Sequence, residues 1–196
     1  MKPLGIAAAL VSMGIAVPVD AWVLTIGAAP RAVYLQVGVG TANANNATVN
    51  TVSVTVPVLA VGNGVAQAMT SDSTQATSFF DGFAVCTPPA QVYVGGFYRL
   101  PATNASSAVL QVTTPANLTS GADTIAFNKI SWTSTAIGNA TADIPAGTFV
   151  SGGTLFLRNI AANTWVENCH SFSYANNTVP PSGVFTGRAV YTLTSP

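Results

Sequence analysis

The chain has 196 residues, of which 49% are hydrophobic and only 6% are charged, and its formal net charge is zero. Disordered chains are poor in hydrophobic residues, so this composition argues against disorder. It also argues against nucleic-acid binding, because no excess of Lys and Arg is available to neutralise phosphates. A surface with so few charges repels copies of itself weakly and tolerates self-association.

Residues 1–21 have the organisation of a secretory signal peptide. Met1-Lys2 is a short positive start, and an apolar run from Leu4 to Val17 follows before the small residue Ala21. We expect cleavage after Ala21, which leaves Trp22 as the mature N-terminus of an exported protein. A retained anchor is the alternative, although the run is short for a membrane span, and we expect no span in the mature chain.

The chain contains two cysteines, Cys86 and Cys169. In an exported protein such a pair predicts a disulfide, which would close a loop of about 80 residues. Two free buried thiols are the alternative.

Alternating apolar and polar residues indicate β-strands along the mature chain, because a strand places successive side chains on opposite faces. Gly95-Gly96 and Asn128-Lys129 predict bulges within two of these strands. The predicted strands cover 22–26, 32–39, 50–58, 79–86, 91–98, 108–113, 124–133, 148–150, 154–160, 165–174 and 183–193.

These short strands, without a convincing amphipathic helix, predict an all-β fold. We expect an antiparallel two-sheet β-sandwich of the immunoglobulin-like Greek-key type with one disulfide, and a closed barrel is the alternative. No repeat or linker divides the chain, so residues 22–196 are predicted to form a single domain, in which 22–31 is an N-terminal donor or edge strand.

The residues that usually carry catalysis or bind metals are scarce. His170 is the single histidine, and no motif typical of a nucleophile, a metal site or a phosphate loop is present. We therefore expect a non-enzymatic protein without metal or cofactor, and a hydrolase built around His170 is a distant alternative. The carboxylates of the mature chain show no spacing typical of a calcium loop or an acid/base pair: Asp72, Asp81, Asp123, Asp143 and Glu167.

Three aromatic residues, Tyr93, Phe97 and Tyr98, are clustered near Arg99. If their rings are exposed, they offer a flat platform for sugar rings or for another protein, and if they are buried they belong to the core. Trp165 is predicted to be a core residue near the disulfide.

The last predicted strand, 183–193, has an apolar face. Gly187 interrupts this face, which indicates a bulge or a close backbone approach. The apolar face consists of Phe185, Ala189, Tyr191 and Leu193.

This C-terminal segment resembles that of the bacterial fimbrial subunits assembled by chaperone and usher, which end in an alternating strand with a glycine fourteen residues from the end. Gly183 occupies that position, whereas Ser195 stands where the family has a penultimate tyrosine. The segments 86–96 and 130–134 also resemble small exported bacterial proteins of unassigned activity. The resemblance implies assembly with copies of the chain or with related surface subunits. It also implies export through the periplasm to the outside or the cell surface of a bacterium.

The sequence therefore predicts a structural subunit of an extracellular fibre or surface assembly. Its subunits would associate by β-strand complementation, with Trp22, Leu24 and Ile26 of one copy filling pockets of the next. The alternative is a secreted adhesin that binds glycans through the platform of Tyr93, Phe97 and Tyr98.

Overall fold

The computed structural model describes residues 30–42, 50–101, 106–138 and 141–196. Within these ranges the chain forms strands and two 3-10 turns, Val58–Ala60 and Phe127–Lys129, and no helix could cross a membrane. The predicted signal peptide and the donor residues Trp22, Leu24 and Ile26 lie outside the described residues. The strands are β1 (Ala32–Val37), β2 (Val52–Ser53), β3 (Gln67–Ala68), β4 (Thr70–Ser71), β5 (Val92–Arg99), β6 (Ser107–Thr114), β7 (Asn117–Ser120), β8 (Asp123–Ala126), β9 (Ile130–Ala136), β10 (Gly147–Thr148), β11 (Gly153–Ala161), β12 (Trp165–Tyr174) and β13 (Val190–Thr194).

The larger sheet has the order β1-β5-β12-β9-β10, and β3 adds to the end of β12. A second sheet has the order β11-β6-β13, and two further pairs join β2 to β4 and β7 to β8. Every pairing is antiparallel. The all-β prediction is therefore confirmed.

One buried apolar cluster contains side chains from both larger sheets. Val94 and Trp132 come from the six-stranded sheet, and Leu110 and Ile160 come from the three-stranded one. Neither sheet could bury its apolar side chains alone, and the two sheets contribute to one core.

The disulfide between Cys86 and Cys169 is formed, as predicted, with Cα atoms 5.5 Å apart. Cys169 lies on the face of β12 that points away from the main cluster. There it packs with Tyr93 and Cys86 in a second, small buried cluster.

Three predicted strands are wrong in extent. Segment 50–58 forms only the two-residue strand β2, although alternate residues from Thr51 to Val56 are exposed and half-buried. Segment 124–133 is divided by the 3-10 turn Phe127–Lys129, which replaces the predicted bulge and carries the chain from β8 into β9. The last strand begins at Val190 rather than at Gly183.

Residues 183–189 are irregular because they pack closely against the β7–β8 hairpin. A Cβ atom at Gly187 would lie 2.7 Å from Leu118 and 2.9 Å from Phe127. Side chains rather than another backbone therefore approach Gly187 closely. Ala189, Tyr191 and Leu193 do pack against the main cluster, as their alternation predicts.

A bulge occurs in β11, where the register with β6 shifts between Phe156 and Arg158. The extra residue brings Leu157 and Ile160 to the core side together, although they have opposite parity. Conversely, the bulge predicted at Gly95-Gly96 is absent, since β5 keeps a continuous register with both neighbours there.

Candidate functional site

Aromatic rings lie in a row across three neighbouring strands of the larger sheet. Tyr34 of β1 is the direct cross-strand partner of Phe97 of β5, which is in turn the partner of Trp165 of β12. The ring centroids of Tyr34 and Phe97 are 6.0 Å apart, and those of Phe97 and Trp165 are 5.8 Å apart. All three residues are half-buried, so one side of the row faces solvent.

Two phenylalanines from the loop before β5 extend this row. The rings of Phe80 and Phe79 stack on Trp165 with centroid distances of 5.2 and 5.9 Å. Phe79 is 52% exposed and Phe80 is 65% exposed, which is unusual for large apolar side chains. We call the five residues Tyr34, Phe79, Phe80, Phe97 and Trp165 the aromatic strip.

The loop that carries Phe79 and Phe80 was predicted to be a strand over 79–86, and that prediction is wrong. Ser78 and Phe83 close a tight turn, in which the amide of Ser78 donates to the carbonyl of Phe83 at 2.8 Å. The Ser78 hydroxyl accepts hydrogen bonds from the amides of Phe80 and Asp81, and Gly82 supplies a positive φ of 78°. In this turn the apolar side chains point outward, and Phe83 is also 72% exposed.

Glu167 attaches this loop to the sheet. Its Oε2 atom accepts hydrogen bonds from Ser78 Oγ at 2.7 Å, from Tyr93 Oη at 2.7 Å and from Trp165 Nε1 at 2.9 Å. A buried carboxylate is tolerated only when donors replace its lost water, and three donors do so here. One carboxylate therefore fixes both the turn and the indole on which the loop rings stack.

Tyr93 fits into this network because the residue two positions along the strand has no side chain. A Cβ atom at Gly95 would lie 2.3 Å from the Tyr93 hydroxyl, so the Tyr93 side chain occupies the space over Gly95. Burial and the hydrogen bond to Glu167 raise the pKa of Tyr93 far above its ordinary value. Tyr93 thus stays a neutral hydrogen-bond donor.

The predicted platform of Tyr93, Phe97 and Tyr98 is corrected by this geometry. Tyr93 and Tyr98 are fully buried, the first in the small cluster and the second in the main one, so neither ring can meet a ligand. Phe97 alone belongs to the exposed surface. Trp165, predicted to be core, is instead half-exposed at the centre of the aromatic strip.

His170 lies in the interior, stacked on Trp132 with a centroid distance of 5.9 Å. Among the described residues neither of its ring nitrogens has a hydrogen-bond partner, and burial lowers its pKa to about 4. No three potential ligands from His, Cys, Asp and Glu meet in the described ranges in a way that could hold a metal ion.

Sequence reasoning missed most of the strip because its members are far apart in the chain. Tyr34, Phe79 and Trp165 meet only through strand register and the Glu167 network. The Asp81-Gly82 dipeptide was the one local signal, since it is typical of a turn.

No match was found for this chain among protein-family models, curated proteins or solved structures.

Proposed function

We propose that the protein is a non-enzymatic structural subunit of a bacterial extracellular fibre or cell-surface assembly. The observation that carries this proposal is the aromatic strip, an exposed apolar surface on a chain with almost no charge. Large exposed apolar patches on soluble proteins mark sites of association. Together with Phe83, the strip presents six exposed or half-buried rings, and four of the six are phenylalanines. A phenylalanine ring has no polar atom and therefore suits an apolar protein partner.

The fold that we propose is a single immunoglobulin-like β-sandwich with Greek-key connections over residues 22–196. Two observations support it. The apolar cluster is shared between the two larger sheets, and strands that follow each other in the chain, such as β5 and β6, belong to different sheets. The disulfide is compatible with export through the periplasm after removal of residues 1–21.

Strand complementation is the proposed mode of assembly. Within the described residues, β13 pairs on one side only, so it leaves a row of backbone donors and acceptors open. The alternating segment with Trp22, Leu24 and Ile26 is the proposed donor to such an edge of the next copy. β13 also contains Tyr191 and Leu193. Both belong to the segment that begins at Gly183, includes Phe185 and resembles the end of fimbrial subunits.

Electron microscopy of the purified secreted chain tests this function. We expect filaments or ordered surface arrays from the wild type, and their loss when residues 22–29 are deleted. A variant with Trp22, Leu24 and Ile26 replaced by Ser keeps the length of the segment and should fail in the same way, because the pockets stay unfilled. Assembly that persists unchanged in both variants would remove the donor assignment.

A second function, a glycan-binding adhesin, is favoured by one observation: the strip includes Tyr34 and Trp165, aligned by strand register with Phe97. Aligned rings with polar atoms can stack on the faces of neutral sugar rings. The test is retention of the protein on insoluble neutral polysaccharides. Trp165→Ala should abolish retention, whereas Phe156→Ala, at an exposed ring of β11 outside the strip, should leave it unchanged.

A further inference from the structure

A second exposed apolar feature lies far from the aromatic strip. The 3-10 turn Val58–Ala60 presents Val58 at 90% exposure and Leu59 at 100% exposure, and Val179, at 77% exposure, lies against the same loop at Gly62. Fully exposed aliphatic side chains in sequence at a turn are costly in water. We call Val58, Leu59 and Val179 the aliphatic knob.

The knob is held in place by a single buried side chain, Asn176. Its amide nitrogen donates to the carbonyl of Ala60 at 2.8 Å and to Asn63 Oδ1 at 2.9 Å, and its side-chain oxygen accepts from the amide of Gly62 at 3.0 Å. The carbonyl of Asn176 also accepts from the amide of Gly64 at 3.0 Å. An exposed turn with so many fixed contacts is preorganised, which lowers the entropy cost of docking.

The knob and the aromatic strip lie at opposite ends of one strand. Trp165 is the first residue of β12, whereas Asn176 follows Tyr174, the last residue of β12, by two positions. A ten-residue strand extends over about 30 Å. The two apolar surfaces therefore cannot cover each other within one molecule.

Charges of opposite sign accompany the two surfaces. The exposed carboxylate of Asp81 lies in the turn beside Phe80, at the strip. Lys129 lies near the knob, where its Nζ donates to Asn177 Oδ1 at 2.8 Å and its side chain lines a groove with Val179 and Pro180. Within the described ranges neither Asp81 nor Lys129 forms an ion pair, the only one there being Arg158 with Asp143.

We propose that the aliphatic knob of one copy docks on the aromatic strip of the next, with Lys129 facing Asp81. This inference rests on the proposed assembly function and names the surfaces that meet. Because the two surfaces differ, the contact is heterologous, and because they lie at opposite ends of β12, copies can add head to tail. We expect the contact to work together with strand donation.

Sedimentation velocity over a concentration series tests the contact on the full secreted chain. The knob variant carries Val58→Ser and Leu59→Ser, the strip variant carries Phe80→Ser, and the control carries Phe156→Ser. All four positions are exposed, so far-UV circular dichroism should stay that of the wild type. We expect each of the first two variants to need at least about tenfold more protein to assemble, and the control to behave like the wild type.

A mixture of the knob variant and the strip variant distinguishes a docking role of the substituted residues from a structural one. A knob variant still has an intact strip, and a strip variant still has an intact knob. An equal mixture should therefore assemble at a lower total concentration than either variant alone, since each unlike pair can make one knob-and-strip contact. Charge-changed variants give a second route: Asp81→Lys and Lys129→Asp should each weaken assembly at low salt, and their mixture should restore it.

Wild-type assembly with the same concentration dependence in all variants would overturn the knob-and-strip contact while leaving the assembly function in place. A wild-type chain that stays monomeric at every concentration would overturn both. Retention of a monomeric wild type on glycan or on neutral lipid vesicles would also overturn the contact, since another partner would then occupy one of its surfaces.

Discussion

His170 is surrounded by apolar and aromatic side chains, with Trp132 on one side and Phe172 at a centroid distance of 6.2 Å. Its two ring nitrogens have no partner among the described residues, so nothing replaces the water that a charged imidazolium would lose. Desolvation therefore lowers its pKa to about 4 from an ordinary value of 6.5.

The position of His170 predicts a pH-dependent loss of stability. An unfolded chain protonates this residue near pH 6.5 and the folded one only near pH 4, so acid favours the unfolded state between these values. The contribution of neutral His170 to the free energy of unfolding is fully present above pH 6.5 and falls by about 3 kcal/mol as the pH approaches 4. Urea unfolding of the wild type and of His170→Phe at pH 7.5 and 4 measures it.

In His170→Phe this component of the pH dependence should disappear, since Phe fills the space between Trp132 and Phe172 without titrating. Stability at pH 7.5 should be equal or higher, because no hydrogen bond within the described structure is lost. An equal pH dependence in wild type and variant would show that His170 is not buried in its neutral form.

Glu167 and Gly95 were not recognisable as a pair from the sequence. In the sequence, Glu167 is one of several scattered carboxylates, and Gly95 predicts a bulge. Their roles follow from register, because Glu167 and Gly95 are direct cross-strand partners. The missing side chain of Gly95 leaves room for Tyr93 to reach the carboxylate.

Among the elements, the loop from Ala76 to Cys86 has two attachments to β12. One is the disulfide between Cys86 and Cys169, and the other is the hydrogen bond from Ser78 to Glu167. The disulfide restricts the unfolded chain, whereas the hydrogen bond orients the turn that carries Phe79 and Phe80.

Removal of the disulfide by Cys86→Ala with Cys169→Ala should lower the free energy of unfolding by about 4 to 5 kcal/mol. This value follows from chain entropy for a sequence separation of 83 residues. The tryptophan fluorescence of the folded variant should change little, because the bond from Ser78 to Glu167 still holds the loop rings on the Trp165 indole. Guanidinium unfolding and fluorescence measure the two effects, and a loss below about 1 kcal/mol would contradict the entropic role.

The two strands β5 and β12, which have partners on both sides, were predicted closely. Segments whose conformation is set by tertiary contacts were not. Phe79, Phe80 and Phe83 indicated a buried strand, but Ser78 and Gly82 close a turn there and the rings point outward. In β11 the bulge near Leu157 reverses the parity that alternation predicts.

At the scale of the whole molecule, the fold class could be predicted from the sequence, whereas the site could not. Short alternating segments without an amphipathic helix predicted an all-β chain, and the cysteine pair predicted one disulfide. The aromatic strip depends on which residues from β1, β5 and β12 become neighbours, and the aliphatic knob depends on a buried Asn176 that lies 117 positions beyond Leu59 in the sequence. Neither the strip nor the knob can be recognised from a short stretch of sequence.

The length of β12 has a consequence for any fibre built by the proposed head-to-tail contact. Since the two docking surfaces lie at the ends of this strand, the rise from one subunit to the next along the fibre axis is set by the strand itself. A single inserted or deleted pair of residues in β12 would change that axial repeat while preserving which side chains face inward.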